Sequence, residues 1–217
     1  LGETTGYAPP TEPVRVLHED AQLLVVEKPA GLLSVPGKGA ELADCLLSRL
    51  EVAFEGTLLV HRLDRDTSGV MVFARTKAAQ RHLGLQFERR HTSKRYIARV
   101  HGQPASECGR IDLPLIADWP NRPKQMVDFD RGKPAETHWR VLEREPGATR
   151  VELLPVTGRS HQLRVHMAAI GHPILGDPLY AEGTAREAAR LMLHAERLLL
   201  RHPDGGAPMT FTARCPF

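Results

Sequence analysis

Residues 57–75 read TLLVHRLDRDTSGVMVFAR. Leu58, Leu59, Val60 and Leu63 make the first part apolar, and Val70, Met71, Val72, Phe73 and Ala74 do the same for the last part. Short apolar runs bounded by turn formers read as buried strands. The segment therefore predicts an extended Thr57–Leu63, a polar turn over Asp64–Ser68 and a strand over Gly69–Arg75. Upstream, Val14–Leu17 and Leu23–Glu27 read as strands joined by a turn over His18–Gln22. Lys28-Pro29-Ala30-Gly31 ends the second strand, and Pro36-Gly37-Lys38-Gly39 is a loop. Leu42–Leu50 is a short helix candidate.

Downstream, Thr76 is placed to cap a helix over Lys77–Arg90, in which Ala79, Leu83 and Phe87 recur every four residues. Lys94–His101 alternates, with Tyr96, Ala98 and Val100 on one face. Val127–Phe129, His138–Glu143 and Arg150–Val156 read as further strands, and Ser160–Ile170 as a helix. Leu191–Arg201 and Met209–Ala213 read as a closing hairpin. Strands outnumber helices and no βαβ alternation is present, so the expected class is α+β with a mixed, mostly antiparallel sheet and flanking helices and loops. Residues 1–13, polar and proline-rich, read as an N-terminal tail, and 14–217 as one domain.

The bulk properties exclude several classes. With 217 residues, 41% hydrophobic and 25% charged, the composition is that of a globular protein. No apolar run reaches the roughly 20 residues of a membrane span. Cys45, Cys108 and Cys215 are far apart and form no Cys-x-x-Cys pair, which argues against a zinc knuckle or redox motif and for a cytoplasmic protein. Net charge is only +3, but arginine dominates the basic residues, and its planar fork suits phosphates and base edges.

The densest chemistry lies in the central turn, His61-Arg62-Leu63-Asp64-Arg65-Asp66-Thr67-Ser68-Gly69. Arginines on either side of Asp64 favour its ionised form, as a nucleophile or base requires, and a structural ion pair would use the same residues. Asp64-Arg65-Asp66-Thr67 also fits the D-x-D-x-T pattern of magnesium-dependent phosphatases of the haloacid dehalogenase type. Against that stand the interruption of the preceding strand by His61 and Arg62, the basic surroundings, and the lone carboxylate of Gly176-Asp177-Pro178-Leu179-Tyr180-Ala181, where a metal site needs more.

The pattern His61-Arg62-Leu63-Asp64-x-x-Thr67-Ser68-Gly69 resembles the catalytic signature of the RluA family of pseudouridine synthases. Three further blocks resemble the family in order and spacing: Lys28-Pro29-Ala30-Gly31, Lys94-Arg95-Tyr96, and the helix start Thr157-Gly158-Arg159-Ser160-His161-Gln162-Leu163-Arg164-Val165-His166. Leu113–Gln125, Gly132–Ala135 and Gly171–Asp177 are similar to the family members that act on both a 23S rRNA stem-loop and the tRNA anticodon stem-loop. The small S4-type RNA-binding domain of several relatives has no counterpart in this reading.

The resemblance implies an RNA uridine isomerase whose essential carboxylate is Asp64, with Arg164 as its arginine partner and Tyr96 lying against the target uracil. It implies Arg62 as the residue that fills the space left by a flipped base, with His61 and Leu163 beside the substrate. Lys28, Arg159, Arg95 and Lys124 are candidate phosphate contacts, Lys28 and Arg159 alternatively braces of the site. RNA is expected in a cleft where the Asp64 turn, the Tyr96 strand and the Arg164 helix start converge. The reaction is redox-neutral, so no organic cofactor is expected. No metal is expected either, because His161 and His166 stand five apart and miss the four-residue spacing of a zinc helix, and hydrogen bonding is the reading for these rings. A monomer with RNA as its partner is the expected state.

Overall fold

A computed structural model describes residues 6–217, so the first five residues of the expected tail lie outside the described residues. In chain order the strands are β1 (Arg15–Glu19), β2 (Leu23–Lys28), β3 (Leu58–Leu59), β4 (Ser68–Ala74), β5 (Ser93–His101), β6 (Cys108–Asp112), β7 (Leu115–Ala117), β8 (Gln125–Val127), β9 (Glu136–Glu145), β10 (Ala148–Pro155), β11 (Leu193–Arg201) and β12 (Pro208–Thr212). The helices are α1 (Leu46–Ala53), α2 (Lys77–Glu88) and α3 (Gln162–Ala169). The pairs β1–β2, β2–β4, β3–β4, β5–β10, β9–β10, β6–β9, β7–β8 and β11–β12 are antiparallel, and the class is α+β as the sequence predicts.

The chain divides into two units. The first takes the residues up to Ser93 together with Arg197–Arg214, the second Lys94–Glu196 with Cys215–Phe217.

In the first unit β4 is buried along its whole length, which is why its sequence is continuously apolar rather than alternating. It pairs with β2 in the register Val25↔Val72 and Lys28↔Gly69. Asp20 closes the β1–β2 turn, its Oδ1 accepting the N–H groups of Gln22 at 2.7 Å and Leu23 at 2.8 Å. Thr76 caps α2 as expected, its hydroxyl accepting from the Ala79 N–H at 3.1 Å. Helix α2 buries Ala79 and Leu83 against Leu23, Val25, Val70 and Val72, and Leu198, Leu200 and Phe211 complete that core. Each such fully buried large apolar side chain contributes about 1.5–3 kcal/mol.

Two expectations shift. The helix predicted from Leu42 begins at Leu46, because Cys45 and Ser48 form a reciprocal cap there while Ala40–Leu42 makes a separate 3-10 turn. The predicted extended run Thr57–Leu63 pairs only at Leu58–Leu59, and the rest is held by side-chain bonds described below.

In the second unit β10 lies between β5 and β9, with β6 beyond β9. Leu153 stands opposite Tyr96, and Val151 opposite Ala98. Helix α3 packs Leu163 and Met167 into the core formed by Ala98, Val100, Val151 and Leu153. Strands β7 and β8 form a separate two-stranded hairpin, paired Ile116↔Met126. β6 and β7 escape sequence reading. β6 offers one buried apolar residue, Ile111, and β7 is three residues long between Pro114 and Trp119.

Candidate active site

In the first unit the Asp64 turn is braced from the protein side. The Thr67 N–H donates to the Asp64 carbonyl at 3.2 Å, closing the turn. The next carbonyl, that of Arg65, accepts from Lys28 Nζ at 2.7 Å and from the Gly31 N–H at 2.9 Å. Lys28 Nζ also donates to the carbonyls of Pro29 at 2.8 Å and Leu32 at 2.6 Å. The approach to the turn is fixed by Ser34, whose hydroxyl donates to the Leu63 carbonyl at 2.6 Å and accepts from the Leu63 N–H at 3.2 Å. His61 Nε2 accepts the Val72 N–H at 3.1 Å, and its ring stacks on Phe87 with centroids 4.6 Å apart. The exit is Gly69, at φ +119°, a backbone conformation that side chains rarely adopt.

On this base Asp64 is half-buried and Arg62 exposed. Arg65 and Asp66 form a local bidentate pair at 2.8 and 3.0 Å. A half-exposed carboxylate on a turn with a fixed backbone is suited to act as nucleophile or base.

In the second unit the start of α3 is built by Gln162. Its Oε1 accepts from the Thr157 hydroxyl at 2.7 Å and the Arg159 N–H at 3.0 Å, and its Nε2 donates to the Glu136 carbonyl at 2.8 Å and to Thr137 Oγ1 at 3.0 Å. His161, predicted inside the helix, is instead its left-handed N-cap at φ 53°. Two turns of buried polar chemistry follow. His166 is fully buried, and burial lowers its pKa. Its Nε2 lies 3.0 Å from the Leu113 carbonyl, which can only accept, so that nitrogen carries the proton and Nδ1 accepts from the Thr137 hydroxyl at 2.9 Å.

Arg164 is 3% exposed and its guanidinium is gripped along one edge by Asp177, Nε to Oδ2 and Nη2 to Oδ1, both at 2.7 Å. Tyr180 lies beneath, its ring centroid 5.1 Å from the Arg164 Cζ.

Half-buried Tyr96 lies in β5 against the core of this unit, with Leu163 6% exposed in the same core. Lys124, the residue before β8, is half-buried. Arg159 is exposed, with Nε donating to the Pro134 carbonyl at 3.1 Å.

At four of the predicted site positions the structure shows protein partners. Lys28 has no solvent exposure, and its Nζ donates to the carbonyls of Pro29, Leu32 and Arg65, the contacts a brace of the turn makes. Arg95 is engaged by the carboxylates of Glu152 and Glu196. His61 and Leu163 occupy packing positions in their own units. Sequence reasoning missed Asp177 and Tyr180. Both lie in a segment it did quote, but there Asp177 was weighed only as a metal-closing carboxylate.

The chain matches the family described as RNA pseudouridylate synthase over residues 22–169. It is 54% identical over 204 residues to the dual-specificity RNA pseudouridine synthase RluA of Yersinia pestis, covering 93% of this chain and 99% of that one. The protein of the same description from Escherichia coli strain K12 is 53% identical over 214 residues, 97% of this chain and 98% of the other. Among solved structures, human RNA pseudouridylate synthase domain containing 1 superposes with a TM-score of 0.79 at 30% identity, covering 97% of this chain and 86% of that one. No helix of the described residues is long and apolar enough to cross a membrane.

Proposed function

The chain belongs to the RNA pseudouridylate synthase family, and from that premise we propose that it isomerises uridines in structured RNA through Asp64. In this reaction the C1′–N1 bond of uridine breaks, the uracil turns, and C5 bonds to C1′ while the C5 proton leaves to solvent and N1 takes up a proton. Electrons balance within the nucleoside, so the protein need supply only a carboxylate, a counter-charge, and a pocket that holds the detached base.

Asp64 is the carboxylate. Arg164 serves the same step as the permanently charged partner of that carboxylate. Tyr96 lies against the uracil, a ring-on-base contact of about 1–3 kcal/mol in single-strand binders. Extruding a base costs a few kcal/mol, and exposed Arg62 fills the space it leaves. Arg159 and Lys124 remain the phosphate contacts. The substrates are a 23S rRNA stem-loop and the tRNA anticodon stem-loop, read by loop shape and splayed bases more than by duplex sequence. The enzyme acts as a cytoplasmic monomer.

The observation that carries this reading is the meeting of two separate motifs on one atom. Lys28 and Gly31, from the block around residue 30, both donate to the carbonyl of Arg65, the residue after Asp64. A turn built only for structure does not need a fully buried lysine fixing the carbonyl next to a half-exposed acid.

The test is carbodiimide mapping of both stem-loops after incubation with the protein. One modified uridine in each loop is expected, and none after Asp64→Ala. Modification of neither RNA, or equal modification by the variant, rules the proposal out.

A further inference from the structure

Burying an ion pair is a weak way to stabilise a fold, since apolar residues of like volume do as well or better. The Arg164–Asp177 pair is nevertheless fully enclosed, with side chains 3% and 0% exposed. Its surroundings are built to hold the carboxylate still. Asp177 Oδ1 accepts the N–H groups of Leu179 at 2.9 Å and Tyr180 at 3.2 Å besides Arg164 Nη2. The residue before it, Gly176, sits at φ +72°, and a Cβ there would lie 1.9 Å from the Arg190 carbonyl oxygen, so only glycine follows this path. Tyr180 is pinned at its far end. Its hydroxyl accepts the Gln125 N–H at 2.8 Å and lies 2.7 Å from His161 Nδ1. The guanidinium thus has one edge clamped by a carboxylate and one face over an anchored ring.

A free arginine side chain carries about 2 kcal/mol of rotamer entropy. A planar fork held through Nε and Nη2 has lost that freedom before substrate arrives, so its remaining edge is aimed in advance.

We propose that Asp177 and Tyr180 are positioning residues for Arg164. They fix the direction of its guanidinium for the reaction without touching RNA. The inference rests on the reading of Arg164 as the arginine of the reaction.

The experiment compares steady-state turnover of RNA by Asp177→Asn, Tyr180→Phe, Arg164→Met and the Asp177→Asn/Arg164→Met double variant. Asp177→Asn is expected to lower kcat about 10- to 100-fold, the range for removing a residue that orients a reactive group, with KM for RNA within about threefold. Tyr180→Phe is expected to lower kcat about fivefold at unchanged KM. The double variant should be no slower than Arg164→Met alone, because a clamp without its arginine has nothing to aim. A folded Asp177→Asn that keeps wild-type kcat, or losses that multiply in the double variant, overturns the proposal. If Asp177→Asn does not fold, Tyr180→Phe decides: a lowered kcat at fixed KM supports positioning, and an unchanged kcat refutes it. Wild-type turnover by Arg164→Met would instead sink the functional reading beneath it.

Discussion

Lys28 lies where no solvent reaches, and its Nζ donates to three backbone carbonyls, those of Pro29, Leu32 and Arg65. Removing it strands those acceptors in the interior. Lys28→Met is therefore expected to destabilise the protein by about 2–4 kcal/mol, since a buried acceptor left unsatisfied costs about 1–3 kcal/mol and a charged donor is lost with it. Urea unfolding measures this, and a change under 1 kcal/mol would argue that the carbonyls find other partners (about the value of one ordinary hydrogen bond). Turnover should fall too in the protein that remains folded, because the Arg65 carbonyl directly follows Asp64. Sequence marked Lys28 as notable but left it open between phosphate contact and brace, for a sound reason: lysines are almost never fully buried. Only its burial reveals the carbonyl cage. Arg164 was legible through its motif, whereas Asp177 was not, because its partner stands thirteen residues away across a loop that has no period to read.

At the scale of elements, long patterned segments were the readable ones. The β1–β2 hairpin, β4, α2 with its Thr76 cap, and β5 follow their sequence signals to within a residue or two. Elements held by side chains instead of by a pattern were not readable, among them the Ser34-braced approach to Asp64 and the short β7. One inter-element link carries a pH dependence. Asp20, in the β1–β2 turn, lies 2.6 Å from His18 Nε2 and 3.2 Å from His202 Nε2, in the turn after β11. Burial alone would raise the Asp20 pKa, but bonds from His18 and from the Gln22 and Leu23 N–H groups bring it from 3.8 down to about 2. Its stabilisation is present above 3.8 and is lost as pH falls through about 2. His202 is raised above 6.5, first by its bond to the Asp204 carbonyl and then by Asp20, against the effect of burial. Its contribution is complete below 6.5 and is lost as pH rises through the raised value. Both act together between 3.8 and 6.5. His202→Ala should flatten the fall in melting temperature above that window and only weaken the acid limb, because His18 and the Gln22 and Leu23 N–H groups still hold Asp20. An unchanged alkaline limb would remove His202 from the account.

On the scale of the whole molecule, the division into units could not be read along the chain. The first unit takes back Arg197–Arg214 after the second is built, and does so because Leu198, Leu200 and Phe211 complete the core around Val25 and Val72. Such long-range recruitment leaves no mark beyond an apolar hairpin, which the sequence did show. The function was more legible than the fold's division, because four short motifs spread over both units carry the family likeness, and that likeness extends over most of the chain. What all of it depends on is one carboxylate. The most direct measurement is release of tritium from RNA labelled at C5 of uridine, comparing the wild-type protein with Asp64→Asn at matched RNA occupancy. The account predicts steady release by the wild type and essentially none by the variant, with RNA binding retained. Release by Asp64→Asn at a rate near that of the wild type would contradict it.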